Sequence, residues 1–204
     1  MTKIVRIGAK GFKIAQLNDK GLVVGDPLEI PGTTQADISI SSENTTIAAD
    51  DGAYMALSSG ITKVTLKLSN YFLPPEAKKI LFGTKFGAGM ETYGSDTVPN
   101  HVAVIFQTQL KSNETHPLYI GLLNGVFKFP DSKNKTKGLG APDPATEEIE
   151  GEFVMQQRGK TNTVLVNGFS SKEDFDLTTF ENYVMPKTDE LLQAAIQKYE
   201  SAAK

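Results

Sequence analysis

A chain of 204 residues with 39% hydrophobic side chains suffices for one domain with a true core, or for one domain and a tail. Its net charge of −3 and pI near 5.5 speak against a nucleic-acid-binding footprint, and no apolar run reaches transmembrane length. With no cysteine there is no disulfide framework, zinc–thiolate site or thiol nucleophile, and two histidines leave little room for histidine chemistry.

The N-terminal Met1–Arg6 lacks the apolar stretch of a signal peptide. Lys3–Ile7 and Phe12–Leu17 read as strands separated by Gly8-Ala9-Lys10-Gly11, and Asn18–Gly21 as a turn. Gly25-Asp26-Pro27 and Pro31-Gly32 punctuate the next stretch of chain. Ala36–Ser42 then alternates, with Ala36, Ile38 and Ile40 on one face and Asp37, Ser39 and Ser41 on the other. Thr62–Leu68 repeats the pattern, with Val64, Leu66 and Leu68 opposed to Lys63, Thr65 and Lys67. A period of two means a sheet with one packed and one wet face. Between these strands the sequence predicts a loop of about twenty residues, Glu43–Gly60, far longer than most connections. It carries Ile47, Tyr54, Met55 and Leu57, apolar side chains that a loop in water has no reason to keep. That combination points to a partner surface.

Leu73–Gly83 has prolines at its start, an early glutamate, later lysines and a closing glycine, the start and stop signals of a short helix. Phe86–Asn100 is glycine-rich and irregular. His101–Leu110 is apolar on both alternating sets and predicts a strand buried on both faces. Leu118–Leu123 and Val126–Phe129 continue the sheet, Asp131–Thr146 is a polar loop, and Glu147–Gln156 and Thr163–Phe169 are the last strands. Ser170–Tyr183 is short-helical or irregular. Pro186 then interrupts the chain, and Thr188 caps a final helix with Asp189 and Glu190 in its first turn, where the helix dipole favours them. Leu192, Ile196 and Tyr199 form a narrow apolar stripe on it. The expected fold is mainly β: an antiparallel β-sandwich or barrel with one inserted short helix and a C-terminal amphipathic helix. Residues 1–185 form the domain, with a docking loop at 43–60, and residues 186–204 an arm that docks on a neighbour through its stripe or packs on its own domain.

Candidate chemistry is sparse. Glu148, Glu150 and Glu152 share one strand face about 6–7 Å apart, a spacing usable by an inverting glycosidase. Three like charges without an aromatic platform fit a solvated sheet face better, and tryptophan is absent. Asp50-Asp51 has no further acidic ligand at loop spacing and reads as a turn. His101 and His116 have no serine in a nucleophile-elbow context. Gly83–Gly89 follows a helix rather than a strand, so it lacks the setting of a phosphate loop. Asn44-Thr45-Thr46, Asn113-Glu114-Thr115 and Asn134-Lys135-Thr136 match the glycosylation pattern, which is idle without a signal peptide. The sequence offers no active site, cofactor or metal site.

Several segments together resemble the major tail (tail-tube) proteins of bacteriophages with long, non-contractile tails. They are Ile30-Pro31-Gly32 through Ile38 and Ile40 to Thr45–Gly52, strand Thr62–Leu68, and the helix ending Ile80-Leu81-Phe82-Gly83. They continue through His101–Phe106, Tyr119–Leu123 with Lys128-Phe129-Pro130, Thr136-Lys137-Gly138, and Glu147–Phe153. The resemblance spans roughly residues 28–170 and is one of strands and turns, not of a catalytic signature.

It implies a structural, non-enzymatic virion protein without cofactors. Six copies would close into a ring and rings would stack into the tube through which DNA leaves the capsid. Its partners would be itself and the tape-measure, terminator and baseplate proteins, with DNA met only in passage and no membrane. It would be assembled in the host cytoplasm. Thr46, Ile47, Asp50, Asp51, Tyr54, Met55 and Leu57 would contact the adjoining ring. Asp37, Ser39, Ser41, Glu148, Glu150 and Glu152 are candidates for the lumen wall, since a DNA conduit avoids a cationic surface. Lys63 and Lys67 count against a purely acidic wall and would pair with carboxylates across subunits. The other reading left open is a monomeric β-sandwich binding or adhesion module on a virion or cell surface.

Overall fold

The computed structural model describes residues 4–49, 52–112, 114–131 and 146–202. In chain order these form β1 (Val5–Leu17), β2 (Val23–Ile30), β3 (Thr33–Ala49), β4 (Gly52–Asn70), α1 (Pro75–Phe82), β5 (Lys85–Gly87) and β6 (Met90–Thr92). Then come β7 (Val102–Lys111), β8 (Thr115–Phe127), β9 (Glu147–Phe153), β10 (Gln156–Arg158), β11 (Thr161–Thr163), β12 (Leu165–Phe169), α2 (Leu177–Val184) and α3 (Asp189–Ala202). The architecture is mainly β and antiparallel, as the alternation predicts. The main sheet runs β2-β1-β7-β8-β9-β4-β3, with β12 added to β8.

The inner face of that sheet closes on a core of Phe12, Ile14, Val64, Leu66, Leu68, Val104, Phe106, Ile120, Leu122, Phe127 and Phe153, and β1 meets β3 across it. Phe12 stacks on Phe106 at 4.6 Å, and Phe127 meets Phe153 edge-on at 5.8 Å. Helix α1 plugs this core with Ala77, Leu81 and Phe82. Its predicted signals are all present: proline in the first turn, and Gly83 at φ +68° donating its amide to the Lys79 carbonyl. A Cβ on Gly83 would lie 2.5 Å from the Val98 carbonyl oxygen, so the position requires glycine twice over.

β7 is buried on both faces, as its composition predicts. Val102, Val104 and Phe106 face the inner core, while Ala103 and Ile105 face a second layer with Phe180, Val184 and Met185 of the α2 region. A third cluster joins Leu123 to Tyr183, Leu192, Ala195 and Ile196.

Four expectations are corrected. Residues 8–11 are not a break: β1 runs through them, with register shifts against β7 at Ile7/Ala9 and Lys10/Lys13 where Gly8 and Gly11 take positive φ. Gly25 and Pro27 lie inside β2, an edge strand, where a missing backbone donor is tolerated. Phe86–Asn100 contains the small β5–β6 hairpin. Of the predicted loop 43–60, residues 43–49 and 52–60 are strand, because β3 and β4 stay paired from Thr33↔Asn70 out to Ala49↔Gly52.

The C-terminal segment is likewise no separate arm. The Val23 amide donates to the Pro186 carbonyl at 2.8 Å, and Lys187 pairs with Asp26 at 2.7 Å. Leu192 and Ile196 are only 6% exposed, covered by their own chain. Thr188 does cap the helix, its hydroxyl accepting from the Leu191 amide. Because α3 completes a buried cluster, Leu192→Ala is expected to destabilise the isolated domain by about 2–4 kcal/mol, the usual cost of emptying such a site. Urea denaturation checks this; an unchanged midpoint would mean that α3 is detached in solution.

Candidate functional site

Two of the sequence-predicted sets meet on one surface. In register, Asp37 of β3 lies beside Lys67 of β4, which lies beside Glu150 of β9. The next row is Ser39, Thr65 and Glu152, and Ser41 lies beside Lys63. Glu148 adjoins Ser69. Because directly paired residues project to the same side, Asp37, Ser39, Ser41, Glu148, Glu150 and Glu152 share one continuous polar face. The opposite side of the same strands carries Val64, Leu66, Leu68, Ile149 and Phe153 into the core.

The lysines of this face are paired within the chain, which corrects the expectation of intersubunit pairs. Lys67 reaches Glu150 at 3.2 Å and Lys63 reaches Glu152 at 3.5 Å. Lys128 bridges the two glutamates, at 2.9 Å to Glu150 and 2.8 Å to Glu152. The Lys128 ammonium donates to both carboxylates and holds each below the usual carboxylate range, and they in turn raise Lys128. These groups are solvent-exposed, so the network adds little stability. Its effect is on the field: the four carboxylates Asp37, Glu148, Glu150 and Glu152 stand over three lysines held by carboxylates. Lys128 escapes a reading of the sequence because its role depends on β8 lying beside β9.

The outer half of the β3–β4 hairpin is a second surface. Ile47 pairs with Met55 and Thr45 with Leu57, so Ile47, Met55 and Leu57 share one side of a two-stranded ribbon. All three are 43–49% exposed, and Tyr54 is 72% exposed. Thr46 lies opposite Ala56 on the other side. Asp50 and Asp51 lie outside the described residues. Of the C-terminal stripe, Leu192 and Ile196 are occupied internally; Tyr199 alone is half exposed, its ring 5.6 Å from that of Tyr183.

Further exposed aromatic and apolar side chains have almost no signature in the sequence. Tyr71, Phe72, Phe86, Met90, Tyr93 and Phe129 are each about half exposed or more, around α1 and the β5–β6 hairpin. Tyr93 and Phe129 lie 6.2 Å apart. The one sequence signal is Tyr71-Phe72, two aromatics placed just after a strand and before Pro74-Pro75. Elsewhere, His101 hydrogen-bonds Asn124 at 2.8 Å and His116 meets Glu114 at 3.2 Å, both exposed. Among the described residues no three His, Asp or Glu side chains converge as a metal site.

The chain matches the model of the phage tail tube protein family over residues 2–188. No curated protein matches it. It therefore belongs to the phage tail tube protein family and is a structural component of the phage tail.

The Lys128 bridge gives a titration test. Glu150 and Glu152 have depressed pKa values in the folded chain, so the small stabilisation they gain is present above the unfolded carboxylate pKa and is lost as pH falls through the folded values. Lys128→Met is expected to move both carboxyl titrations upward with the fold retained, read by side-chain NMR. Unmoved titrations would show that the bridge does not persist in solution.

Proposed function

We propose that six copies of this tail tube protein close into a ring and that rings stack into the conduit for DNA ejection. The observation that carries this reading is the β3–β4 ribbon, which projects Ile47, Met55 and Leu57 with no core of their own. A two-stranded ribbon is at best marginally stable in water, and three such side chains contribute roughly 1.5–3 kcal/mol each once buried. Contact with another subunit supplies that burial. The open edges of β2 and β3 favour the same conclusion, since lateral pairing around a closed ring removes edges that otherwise recruit strands without limit.

The polar face of β3, β4 and β9 is the proposed lumen wall, with Asp37, Ser39, Ser41, Glu148, Glu150 and Glu152 toward the DNA. Phosphates are gripped by lysines that exchange counterions for them. Here the lysines are already held by glutamates, so DNA meets a surface that neither binds it tightly nor carries a large repulsive charge. The tape-measure, terminator and baseplate proteins would meet the ends and interior of the tube, assembled in the host cytoplasm.

Deleting Thr46–Leu57 is expected to leave a folded, soluble subunit that forms no tubes in electron micrographs of the concentrated protein. Normal tubes from this variant would remove the ribbon from assembly. Changing Glu148, Glu150 and Glu152 together to lysine is expected to permit tail formation and to slow DNA ejection, most at low ionic strength. Equal ejection rates at low salt, in particles with intact tails, would take these residues out of the lumen.

A further inference from the structure

We infer that a polar cavity beside the β1–β2 turn binds a divalent transition-metal ion, with Asp19, His101 and Gln156 as its protein ligands. Four segments distant in sequence meet there: the turn at Asn18–Gly21, His101 just before β7, Asn124 of β8 and Gln156 at the start of β10. The cavity measures about 220 Å³, room for an ion with several waters at roughly 30 Å³ each. Of its lining, Leu17 and Gly21 are buried, whereas Asn18, Asp19 and His101 are exposed and leave a way in.

The side-chain oxygen of Gln156 is buried and finds no hydrogen-bond partner among the described residues. A buried acceptor left unmatched is costly, and a cation brought to it offsets that cost. The Gln156 Nε2 lies over Gly21, where a Cβ would come within 1.6 Å and where φ is +74°, so only glycine admits the side chain at this place. His101 is the second pointer. Its Nδ1 donates to Asn124 Oδ1 at 2.8 Å, which leaves Nε2 to offer a lone pair. A carbonyl oxygen on the far ring nitrogen is what orients a metal-ligating imidazole. Asp19 brings the one charged side chain of the lining, and no lysine or arginine opposes a cation there. Asn18 does not compete for the ion, because its Oδ1 already accepts from the Lys20 and Leu22 amides at 3.0 Å each.

Main-chain bonds hold these segments in place. The Leu17 amide donates to the His101 carbonyl at 2.8 Å, and the Gly21 amide to the Asn18 carbonyl at 2.8 Å. The Val154 amide, two residues before Gln156, donates to the Asn124 carbonyl at 2.9 Å. Donors carried on fixed backbone lose little freedom when an ion arrives. One imidazole, one carboxylate and one amide oxygen, with water completing the shell, form a mixed nitrogen–oxygen set. That set suits Zn²⁺ or Ni²⁺; Ca²⁺ and Mg²⁺ take oxygen ligands. The bound ion staples the β1–β2 turn to β7, β8 and β10, a link that a chain without cysteine cannot make with a disulfide.

The second histidine of the chain, His116, lies beside Glu114 and is not among the lining residues, so it serves as an internal control. The full chain, free of any affinity tag and labelled with ¹⁵N, is titrated with ZnCl₂ near neutral pH. The imidazole resonances of His101 are expected to shift saturably at metal concentrations at least about tenfold below those that move His116. In calorimetry, Asp19→Asn and Gln156→Ala are each expected to weaken binding by about tenfold or more, and His101→Ala to abolish it, with circular dichroism unchanged. His116→Ala is expected to leave binding as it is. No saturable binding at millimolar Zn²⁺, equal responses at the two histidines, or an affinity untouched by Asp19→Asn each overturn the site. Asp19 is exposed, so its variant decides the case even where Gln156→Ala fails to fold.

Discussion

Everything in this molecule hangs on the antiparallel pairing of β3 with β4, which register shifts bend but do not end. Its inner half is a wall of the domain: Val64, Leu66 and Leu68 are buried, with Ala36 and Ile38 packed against them. Its outer half leaves the domain with the same backbone ladder but, among the described residues, with no third strand and no helix to cover it. The hydrogen bonds continue where the core ends. A ladder that outruns its core holds its shape through the anchored half and exposes apolar side chains on the other, a combination that suits a docking element better than a disordered loop does. A ribbon that is already paired loses less conformational entropy on binding than an unstructured segment of equal length, which would give up about 1–2 kcal/mol per residue.

The same pairing sets the charge pattern. Since strand side chains alternate, a one-residue slip between β4 and β9 would carry Glu150 and Glu152 into the core and Ile149 and Phe153 to the surface. Burial of Phe153 and Ile149 therefore fixes the register in which Lys63, Lys67 and Lys128 find their glutamates. Hydrophobic packing on one face dictates electrostatic neutrality on the other. Individually these exposed pairs are weak. Together they leave the surface polar and nearly balanced.

Much of this is legible in the sequence, and the failures have physical causes. The alternation in Ala36–Ser41 and Thr62–Leu68, the helix signals around Pro75 and Gly83, and the doubly apolar β7 all survive because each rests on local periodicity, although Ile40, expected on the packed face, lies beyond the core and is 52% exposed. The ribbon reads as a loop because register shifts between Ser41 and Asn44, and between Ile47 and Ala48, break the period of two in a stretch rich in serine and glycine. The β-branched Thr45, Thr46 and Ile47 are the signal that points the other way. The stripe on α3 looks too narrow for a core helix, yet it needs to fill only the space between Leu123 and Tyr183. The Lys128 bridge and the Tyr93–Phe129 contact depend on neighbours distant in sequence, which no local pattern encodes.

The C-terminal helices bear on function through what they cover. The outer face of the sheet is apolar at β1, β7 and β8, where Ala15, Ala103, Ile105 and Leu123 lie under α2 and α3. At Gly121 a Cβ would come within 2.4 Å of Val184, so helix and sheet are in close contact there. Across β9, β4 and β3 that same outer face is polar and, among the described residues, carries no helix. One continuous sheet thus has a thatched half and a bare half. In the proposed ring, the helical layer would occupy one wall of each subunit and the bare polar half another. A conduit for a polyanion calls for a polar wall whose cations are already paired. Among the described parts of the sheet, the rows running through Asp37, Ser39, Thr65, Glu150 and Glu152 fit that proposal, with Lys63, Lys67 and Lys128 held by glutamates, whereas the side under α2 and α3 is already filled.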